Sequence, residues 1–310
     1  MSNLQVPRRR WGKTELSIPV VPFGTQGFGN NFGPVTNDEA AKLIRHAVDI
    51  GVNHFDCARC YGNSLQKLGL AIKNGVVKRD EIIISGRVCC HSGAEWGGYG
   101  KGTPDYSTQR VLTDIEGQLD ILGIDHFDVL LVHDPPEIEP TLETGGTLEG
   151  LEKARERGWT NFIGYGMRPH DFHLTVIESN RTDILLCFGD HNLLRQTAAQ
   201  DILPAAAEKD LGVLNGWSIM RGWLTGIPVE NFVPKDRWQD DHTRAESMRL
   251  WCQDQDINLL DLTLQFALQE SRIHGIPIGN LNIEQLETNV RAACADISED
   301  TIAQFFAANL

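Results

Sequence analysis

Two residues in the stretch 51–64 have side chains suited to proton transfer. Asp56 ends a short predicted strand that begins at Asn53, and Tyr61 follows five residues later in the expected loop. A phenol can exchange a proton with a reacting oxygen, and a carboxylate can hold a cation that lowers the pKa of that phenol. The same two residues could instead cap and pack the loop. Taken by itself, the stretch favours this structural interpretation.

Two further polar residues accompany the next predicted strands. Arg87 follows an apolar run that begins at Ile82, and His133 ends the run that begins at Phe127. In a barrel of parallel strands, the strand ends meet at one face, and enzymes with this fold carry their chemistry there. A carboxylate, a phenol, a cation and an imidazole on one face indicate a catalytic site much more specifically than any one of these groups does alone. Together they favour proton transfer over loop packing.

The elements that must position these residues alternate regularly. A capping-box pattern at Thr36 and Glu39 begins the first helix, and we count eight strand–helix alternations with no linker rich in proline or serine. This pattern predicts an α/β fold, a (β/α)8 TIM barrel in a single domain of residues 1–310, with an N-terminal β-hairpin at residues 9–18. A doubly wound open sheet is the alternative. It is disfavoured because no glycine-rich dinucleotide motif follows the first strand.

The chain is acidic, with 28 Lys and Arg against 42 Asp and Glu, for a formal net charge of -14. This charge argues against nucleic acid or an anionic membrane as a partner. No stretch reaches transmembrane length, and no apolar run follows Arg8–Arg10 as it would in a signal peptide. The 7 cysteines form no regular disulfide framework. We therefore expect a cytoplasmic protein that acts on a small molecule; its oligomeric state stays open.

The sequence resembles the aldo-keto reductases. That family has Asp and Tyr after strand two, a basic residue ending strand three and His ending strand four. The phrases FDCARCYGNS, DVLLVHDPP and NIEQLETN occur here in the family's order. Within the family, PDYS, GYGM and LLRQTA are similar to the aldose 1-dehydrogenases that oxidise L-fucose, L-galactose or D-threo-aldoses. The resemblance implies an NAD(P)-dependent enzyme that oxidises the C1 hydroxyl of a sugar to a lactone.

The resemblance also implies roles for the four polar residues. Tyr61 would accept the proton, and Asp56 and the basic residue would adjust the pKa of its phenol. His133 would orient the substrate oxygen. Arg87 stands where the family has lysine. An arginine could still lower the pKa of Tyr61 through its charge, held by both oxygens of Asp56. Alternatively, Arg87 forms only a structural ion pair, and the barrel has another activity or binds a ligand without nicotinamide chemistry.

The cofactor positions implied by the resemblance include several departures. Gly166 and Met167 stand where the family grips the nicotinamide amide, and Trp217 is one position from the family's stacking aromatic. The positions on the adenine side are Gly279, Asn280, Leu281, Gln285 and Asn289. None is basic, whereas a 2′-phosphate usually binds Arg or Lys. The absence of a basic residue favours NAD as the cofactor, with NADP possible. Gln285 could alternatively form a helix cap with Asn282.

Two other groups of residues could bind a ligand. Trp96 and Tyr99 lie in a glycine-rich loop and could stack on a sugar ring, or they could be incidental aromatics of a surface loop. A soft-metal site is conceivable from one cluster of side chains, namely Cys57, Cys60, Cys89, Cys90 and His91. Buried thiols are the commoner explanation of such cysteines. We therefore expect no metal.

Overall fold

A computed structural model describes residues 4–30, 32–90, 103–232 and 239–310. Trp96 and Tyr99, which the sequence places against the substrate, lie outside the described residues, as does His91. Their roles stay predictions.

Eight parallel strands form a barrel. They are β3 (Phe23–Gly24), β4 (His54–Asp56), β5 (Ile83–Cys89), β6 (Phe127–His133), β7 (Thr160–Met167), β8 (Ile184–Phe188), β9 (Gly212–Gly216) and β10 (Ile278–Gly279). Each strand from β3 to β8 pairs with the next along the chain, and β10 pairs with β3. A parallel bridge between Leu214 of β9 and Gly275, just before β10, closes the circle. The predicted (β/α)8 barrel is confirmed.

The predicted N-terminal hairpin closes one end of the barrel. Its strands, β1 (Arg8–Arg10) and β2 (Ser17–Pro19), pair antiparallel. Trp11 between them is fully buried and joins the apolar cluster that fills the barrel interior. The backbone N–H of Lys13 donates to the carbonyl of Asp210, just before β9 begins. The hairpin thus covers the N-terminal ends of the strands and leaves their C-terminal ends, here called the barrel mouth, for a site.

Helices follow the strands and cover the outside of the barrel. They are α1 (Asn37–Asp49), α2 (Ser64–Lys73), α3 (Thr108–Leu122), α4 (Glu139–Leu142), α5 (Thr147–Glu156), α6 (His170–Glu178), α7 (Ile202–Glu208), α8 (Gln239–Asp254), α9 (Leu259–Gln269), α10 (Ile283–Ala293) and α11 (Glu299–Ala307). Thr36 and Glu39 form the predicted capping box at the start of α1. Among the described residues, no helix has both the length and the apolarity needed to cross a bilayer.

The alternation of side chains along β6 shows how the strands position the site. Val129 and Leu131 belong to the cluster inside the barrel, whereas Leu130 and Val132 pack in the layer between strands and helices. Successive side chains of a strand point to opposite faces. His133, two residues beyond Leu131, therefore lies on the inward face at the barrel mouth. The same alternation directs the polar ends of neighbouring strands toward one another.

Candidate active site

The four residues predicted to share one face lie on adjacent segments at the barrel mouth. Asp56 and His133 are the last residues of β4 and β6, and Arg87 is in β5. Tyr61 is in the loop after β4, where its backbone N–H donates to the carbonyl of Ala58 at 3.1 Å. The strand carrying Arg87 is longer than the sequence predicts, because β5 pairs with β6 as far as Cys89. Arg87 is thus held rigidly within a strand.

Arg87 connects Tyr61 and Asp56. Its Nη1 donates a hydrogen bond to Tyr61 Oη, and its Nη2 donates to Asp56 Oδ2. The sequence predicts that both oxygens of Asp56 could hold Arg87, but the guanidinium instead divides its two ends between the carboxylate and the phenol. Asp56 Oδ1 and Arg87 Nε are buried without a hydrogen-bond partner among the described residues. The side chains of Asp56 and Arg87 are only 5% and 6% exposed, so the ion pair is largely shielded from water.

Two hydrogen bonds to the backbone stabilise this arrangement. Thr25 Oγ1 donates to the carbonyl of Asp56 at 3.0 Å, and Gln118 Nε2 donates to the carbonyl of Arg87 at 3.0 Å. Thr25 follows β3 and Gln118 is in α3, so both the neighbouring strand and the covering helix fix the pair. Such support lowers the cost of keeping a charged side chain oriented.

Burial and charge act against each other in this cluster. Burial raises the pKa of the Asp56 carboxyl, and the Arg87 cation opposes that rise. Burial alone would lower the pKa of Arg87, but Asp56 and Tyr61 raise it above its ordinary value, so Arg87 stays charged. Burial also raises the pKa of the Tyr61 phenol, with Arg87 acting in the opposite direction. The contribution of Arg87 to the pKa of Tyr61 has the sign that the sequence predicts, but the loss of hydration outweighs it.

His133 completes the group of four and brings further residues with it. Its ring lies edge-on to Tyr61, with the centroids 5.9 Å apart. Its Nδ1 is 3.4 Å from Cys60 Sγ and 3.3 Å from Cys89 Sγ. Its Nε2 is 3.9 Å from Asp134 Oδ2. The structure therefore brings the four candidate catalytic side chains together and adds two thiols and a carboxylate.

Asp134 is a residue of the site to which sequence reasoning assigned no role. Its backbone N–H donates to the carbonyl of Gly166 at 2.8 Å, and its φ of +40° turns the chain sharply after β6. Burial raises the pKa of its carboxyl to about 7, and the Arg87 cation opposes this rise. The signal that could have found it is its place directly after His133 at the end of a strand.

Gly166 and Met167, the predicted nicotinamide positions, face opposite ways. A Cβ built on Gly166 would lie 3.7 Å from Arg87 Nε, in ordinary van der Waals contact, so Gly166 lies directly beside the guanidinium. Met167 is fully buried in the layer between strands and helices, and its carbonyl lies 2.9 Å from His173 Nε2. Its side chain therefore does not reach the barrel mouth. The reason is the two-residue alternation of β7, which gives the inward face to Gly166.

Trp217 follows β9 at the barrel mouth, with a φ of +59°. Its ring centroid is 5.0 Å from that of Phe188, the last residue of β8. The guanidinium carbon of Arg221 is 5.7 Å from the Trp217 ring and 5.9 Å from the Phe32 ring. Arg221 itself is exposed. An aromatic surface and an accessible cation thus lie side by side at this edge of the mouth.

The residues predicted on the adenine side surround the start of α10. Asn289 Nδ2 donates to Asn280 Oδ1 at 2.7 Å, which links α10 to the end of β10, and both residues are buried. Gln285 Oε1 accepts from the backbone N–H of Leu281 at 2.9 Å. Leu281 packs against the core, and Gly279 is exposed.

The capping alternative for these residues also occurs in the structure. Asn282 Oδ1 accepts from the backbone N–H of Gln285 at 2.9 Å and so caps α10. The side chain of Gln285 bonds to Leu281 rather than to the backbone of Asn282, so the reciprocal half of a capping box is not formed. No basic residue occurs between Gly279 and Asn289.

Comparison with known proteins assigns the chain to a family. Residues 20–309 match the Aldo/keto reductase family, and the chain belongs to that family. L-galactose dehydrogenase of Arabidopsis thaliana is 28% identical over 293 residues, covering 93% of this chain and 88% of the relative. D-threo-aldose 1-dehydrogenase of a Pseudomonas species is 26% identical, with 95% of each chain covered. L-glyceraldehyde 3-phosphate reductase of Escherichia coli K12 is 24% identical, with 93% and 88% covered.

The fold also matches solved structures. A chain described as an aldo-keto reductase from Pseudomonas aeruginosa superposes with a TM-score of 0.71 at 20% identity, covering 94% of this chain and 95% of the other. The protein is thus an oxidoreductase of the aldo-keto reductase family, and the resemblance seen in the sequence is confirmed.

Proposed function

We propose that this protein is a nicotinamide-dependent aldose dehydrogenase that oxidises the C1 hydroxyl of a sugar to a lactone. The observation that carries the proposal is the bridge that Arg87 makes between Tyr61 and Asp56 at the barrel mouth. It reproduces a carboxylate–cation–phenol chain with arginine in place of the family's lysine. Two relatives that align over most of the chain are named as sugar dehydrogenases, which supports the choice of an aldose.

The residues at the mouth fit a nicotinamide cofactor. Gly166 has no side chain and lies beside the Arg87 guanidinium, and Arg87 Nε is buried without a hydrogen-bond partner among the described residues. Trp217 presents an aromatic ring, and Arg221 presents an exposed cation next to it. When bound there, the nicotinamide ring accepts a hydride. We propose that Gly166 and Trp217 contact this ring, and that Arg221 contacts the phosphates.

The protein's own side chains handle the proton. Tyr61, as the phenolate, removes the proton from the C1 hydroxyl and becomes the neutral phenol, and the Arg87 cation stabilises the phenolate that must form before this transfer. Asp56 keeps the guanidinium in place. His133, edge-on to Tyr61, orients the C1 oxygen. Because burial raises the pKa of Tyr61, oxidation should become faster at alkaline pH.

We propose NAD rather than NADP as the preferred cofactor, because no basic residue lies between Gly279 and Asn289. Asn280, Leu281, Gln285 and Asn289 would hold the adenine side through the β10–α10 segment. Met167 would contribute only through its backbone, since its side chain is in the core.

We also propose that residues 1–310 form one domain, because the eight strands close into one sheet. All 7 cysteines are free, which suits a reducing compartment such as the cytoplasm.

The test combines binding and turnover in the same preparation. Fluorescence titration measures binding of NAD⁺ and NADP⁺, and formation of reduced cofactor is followed with a panel of aldoses. We expect NAD⁺ binding and lactone formation with at least one aldose, and loss of turnover in Tyr61→Phe. Failure of both cofactors to bind would favour the alternative, a barrel without nicotinamide chemistry. Arg87 in place of lysine and the buried Met167 side chain are the observations that keep this alternative open.

A further inference from the structure

Three atoms suited to a soft metal ion converge at the barrel mouth. Cys60 Sγ lies 3.4 Å from His133 Nδ1, and Cys89 Sγ lies 3.3 Å from the same nitrogen. The two sulfur atoms and a ring nitrogen are all within 4.8 Å of one another. Cys60, Cys89 and His133 are 3%, 6% and 6% exposed, so the cluster is enclosed by protein.

The backbone presents two of these side chains together. Cys89 and His133 are paired in register as the last residues of β5 and β6, and both point inward. Cys60 comes from the loop that follows β4 and that also carries Tyr61. The three side chains therefore meet because of the barrel's topology, and their spacing along the chain does not reveal it.

The cluster differs from the metal site that the sequence makes conceivable. Cys57 Sγ points to the carbonyl of Phe55 at 3.8 Å and is buried in the core, so Cys57 and Cys60 do not act as a pair. Cys90 Sγ lies 3.9 Å from Thr147 Oγ1, on the outward side of the barrel wall. His133, which the sequence assigns to catalysis and substrate binding, takes the third position.

The distances match tetrahedral coordination. A zinc ion binds cysteine sulfur at about 2.3 Å and histidine nitrogen at about 2.0 Å, so two such ligands of a tetrahedral ion lie about 3.5 Å apart. The two observed S–N distances are 3.4 Å and 3.3 Å. Thiolate and imidazole ligands suit zinc and Cu(I), whereas magnesium and calcium require oxygen.

A carboxyl group lies near the second ring nitrogen of His133. A ligating histidine usually has a carboxylate or carbonyl at its second ring nitrogen, which fixes the ring. Here Asp134 Oδ2 lies 3.9 Å from His133 Nε2, which is longer than a direct hydrogen bond. The Asp134 carboxyl group thus lies near one ring nitrogen of His133, and the two thiols lie near the other.

We propose that Cys60, Cys89 and His133 bind a thiophilic metal ion, with Zn²⁺ as the divalent occupant. Each cysteine that ligates the ion loses its thiol proton to solvent, so binding one ion releases up to two protons. The ion itself keeps its oxidation state. Three protein ligands leave one tetrahedral position for water or another small ligand.

Metal binding also has a consequence that rests on the proposed function. The ion would fix the His133 ring and occupy its Nδ1 beside Tyr61. If His133 orients the sugar oxygen, zinc should inhibit aldose oxidation, and a chelator should restore it.

The test measures metal uptake directly. Reduced, chelator-treated protein is titrated with Zn²⁺ by calorimetry, and the bound metal is counted after dialysis. Titration with Co²⁺ should produce the near-ultraviolet absorption of a cobalt–thiolate bond. We expect one ion per chain, and loss of both uptake and absorption in Cys60→Ser and Cys89→Ser.

Cys57→Ser and Cys90→Ser are the matched controls, because both remove a buried thiol that faces away from the cluster. They should bind zinc like the parent protein. Equal binding by Cys60→Ser and the parent would overturn the proposal. So would a reduced protein that takes up no zinc, or a stable Cys60–Cys89 disulfide as the only reaction of the pair.

Metal uptake does not depend on catalysis, so the two proposals fail separately. A protein that binds one zinc ion through the cysteines but oxidises no aldose keeps the metal site and loses the proposed function. Circular dichroism of each variant checks that lost binding is not lost folding.

Discussion

The guanidinium of Arg87 contacts the phenol of Tyr61, with Nη1 donating to Oη and the guanidinium carbon 5.6 Å from the ring centroid. A cation at this distance stabilises the phenolate more than the phenol, because only the phenolate carries a charge. We therefore propose that arginine serves in the position that lysine occupies in the family. Its permanent charge means that Arg87 can assist Tyr61 only as a cation, without exchanging a proton itself.

Tyr61→Phe should abolish most turnover while leaving cofactor affinity nearly intact. The substitution deletes the proposed proton acceptor and keeps the ring, and such acid–base groups contribute about 100- to 10 000-fold in rate. Steady-state kcat and a cofactor titration measure the two effects. Tyr165→Phe is the control, because its hydroxyl bonds to Thr141 in the outer layer. Near-normal kcat in Tyr61→Phe would show that the tyrosine role does not belong to this residue.

Arg87→Met should lower the oxidation rate and move the rise of the pH–rate profile to higher pH. The sign follows from charge: without the cation, ionising Tyr61 beside Asp56 becomes harder, so the pKa of the phenol rises further. One pKa unit corresponds to about 1.4 kcal/mol, so a modest shift is measurable. The kcat/KM profile over alkaline pH is the measurement, and an unchanged profile would contradict the proposed role.

Arg87→Lys restores the family residue and should retain or raise dehydrogenase activity if the pocket accepts the shorter side chain. A matched comparison with Arg87→Met separates the charge from the shape of the guanidinium. If the parent oxidises no aldose and Arg87→Lys creates that activity, the natural protein has a function other than sugar oxidation.

NAD⁺ should bind at least as tightly as NADP⁺, because residues 279–289 include no cation to neutralise a 2′-phosphate. Equilibrium titration with both cofactors measures the preference. A clear preference for NADP⁺ would contradict this prediction and would indicate that a cation from another loop binds the 2′-phosphate. Arg221→Ala then identifies that cation. Arg157→Ala is its control, because Arg157 also lies over a tryptophan, 4.9 Å from the Trp159 ring after α5.

Asp134 should make the protein less stable as the pH rises from about 4 to about 7. Burial raises the pKa of this carboxyl from 3.8 to about 7, so the folded state holds a proton that the unfolded state has lost across this window. The stability that the proton confers is complete below pH 3.8 and disappears as the pH passes about 7. Asp134→Asn should therefore flatten the pH dependence of the unfolding free energy.

Urea denaturation at several pH values measures this flattening. Asp125→Asn is the control, because its hydrogen bond with His126 lowers the pKa of Asp125 below 3.8, outside the window. Equal slopes in Asp134→Asn and the parent would show that Asp134 does not titrate between these pH values.

The sequence by itself determined the barrel and the identity of the four central polar residues. Helix and strand periodicity are local properties, and Thr36 and Glu39 begin α1 where their pattern predicts. Asp56 and His133 could be placed because each ends a predicted strand, and parallel strands bring such ends to one face.

Only the tertiary structure decided how the groups at the mouth meet. The register of β5 against β6 places Cys89 beside His133, and the inward or outward parity of β7 sends Met167 into the core. Register and parity depend on neighbouring strands, which are distant in sequence. The pKa of Tyr61 depends on the balance between burial and the Arg87 charge. That balance exists only after the chain has folded, because hydration is lost through packing by residues from many elements.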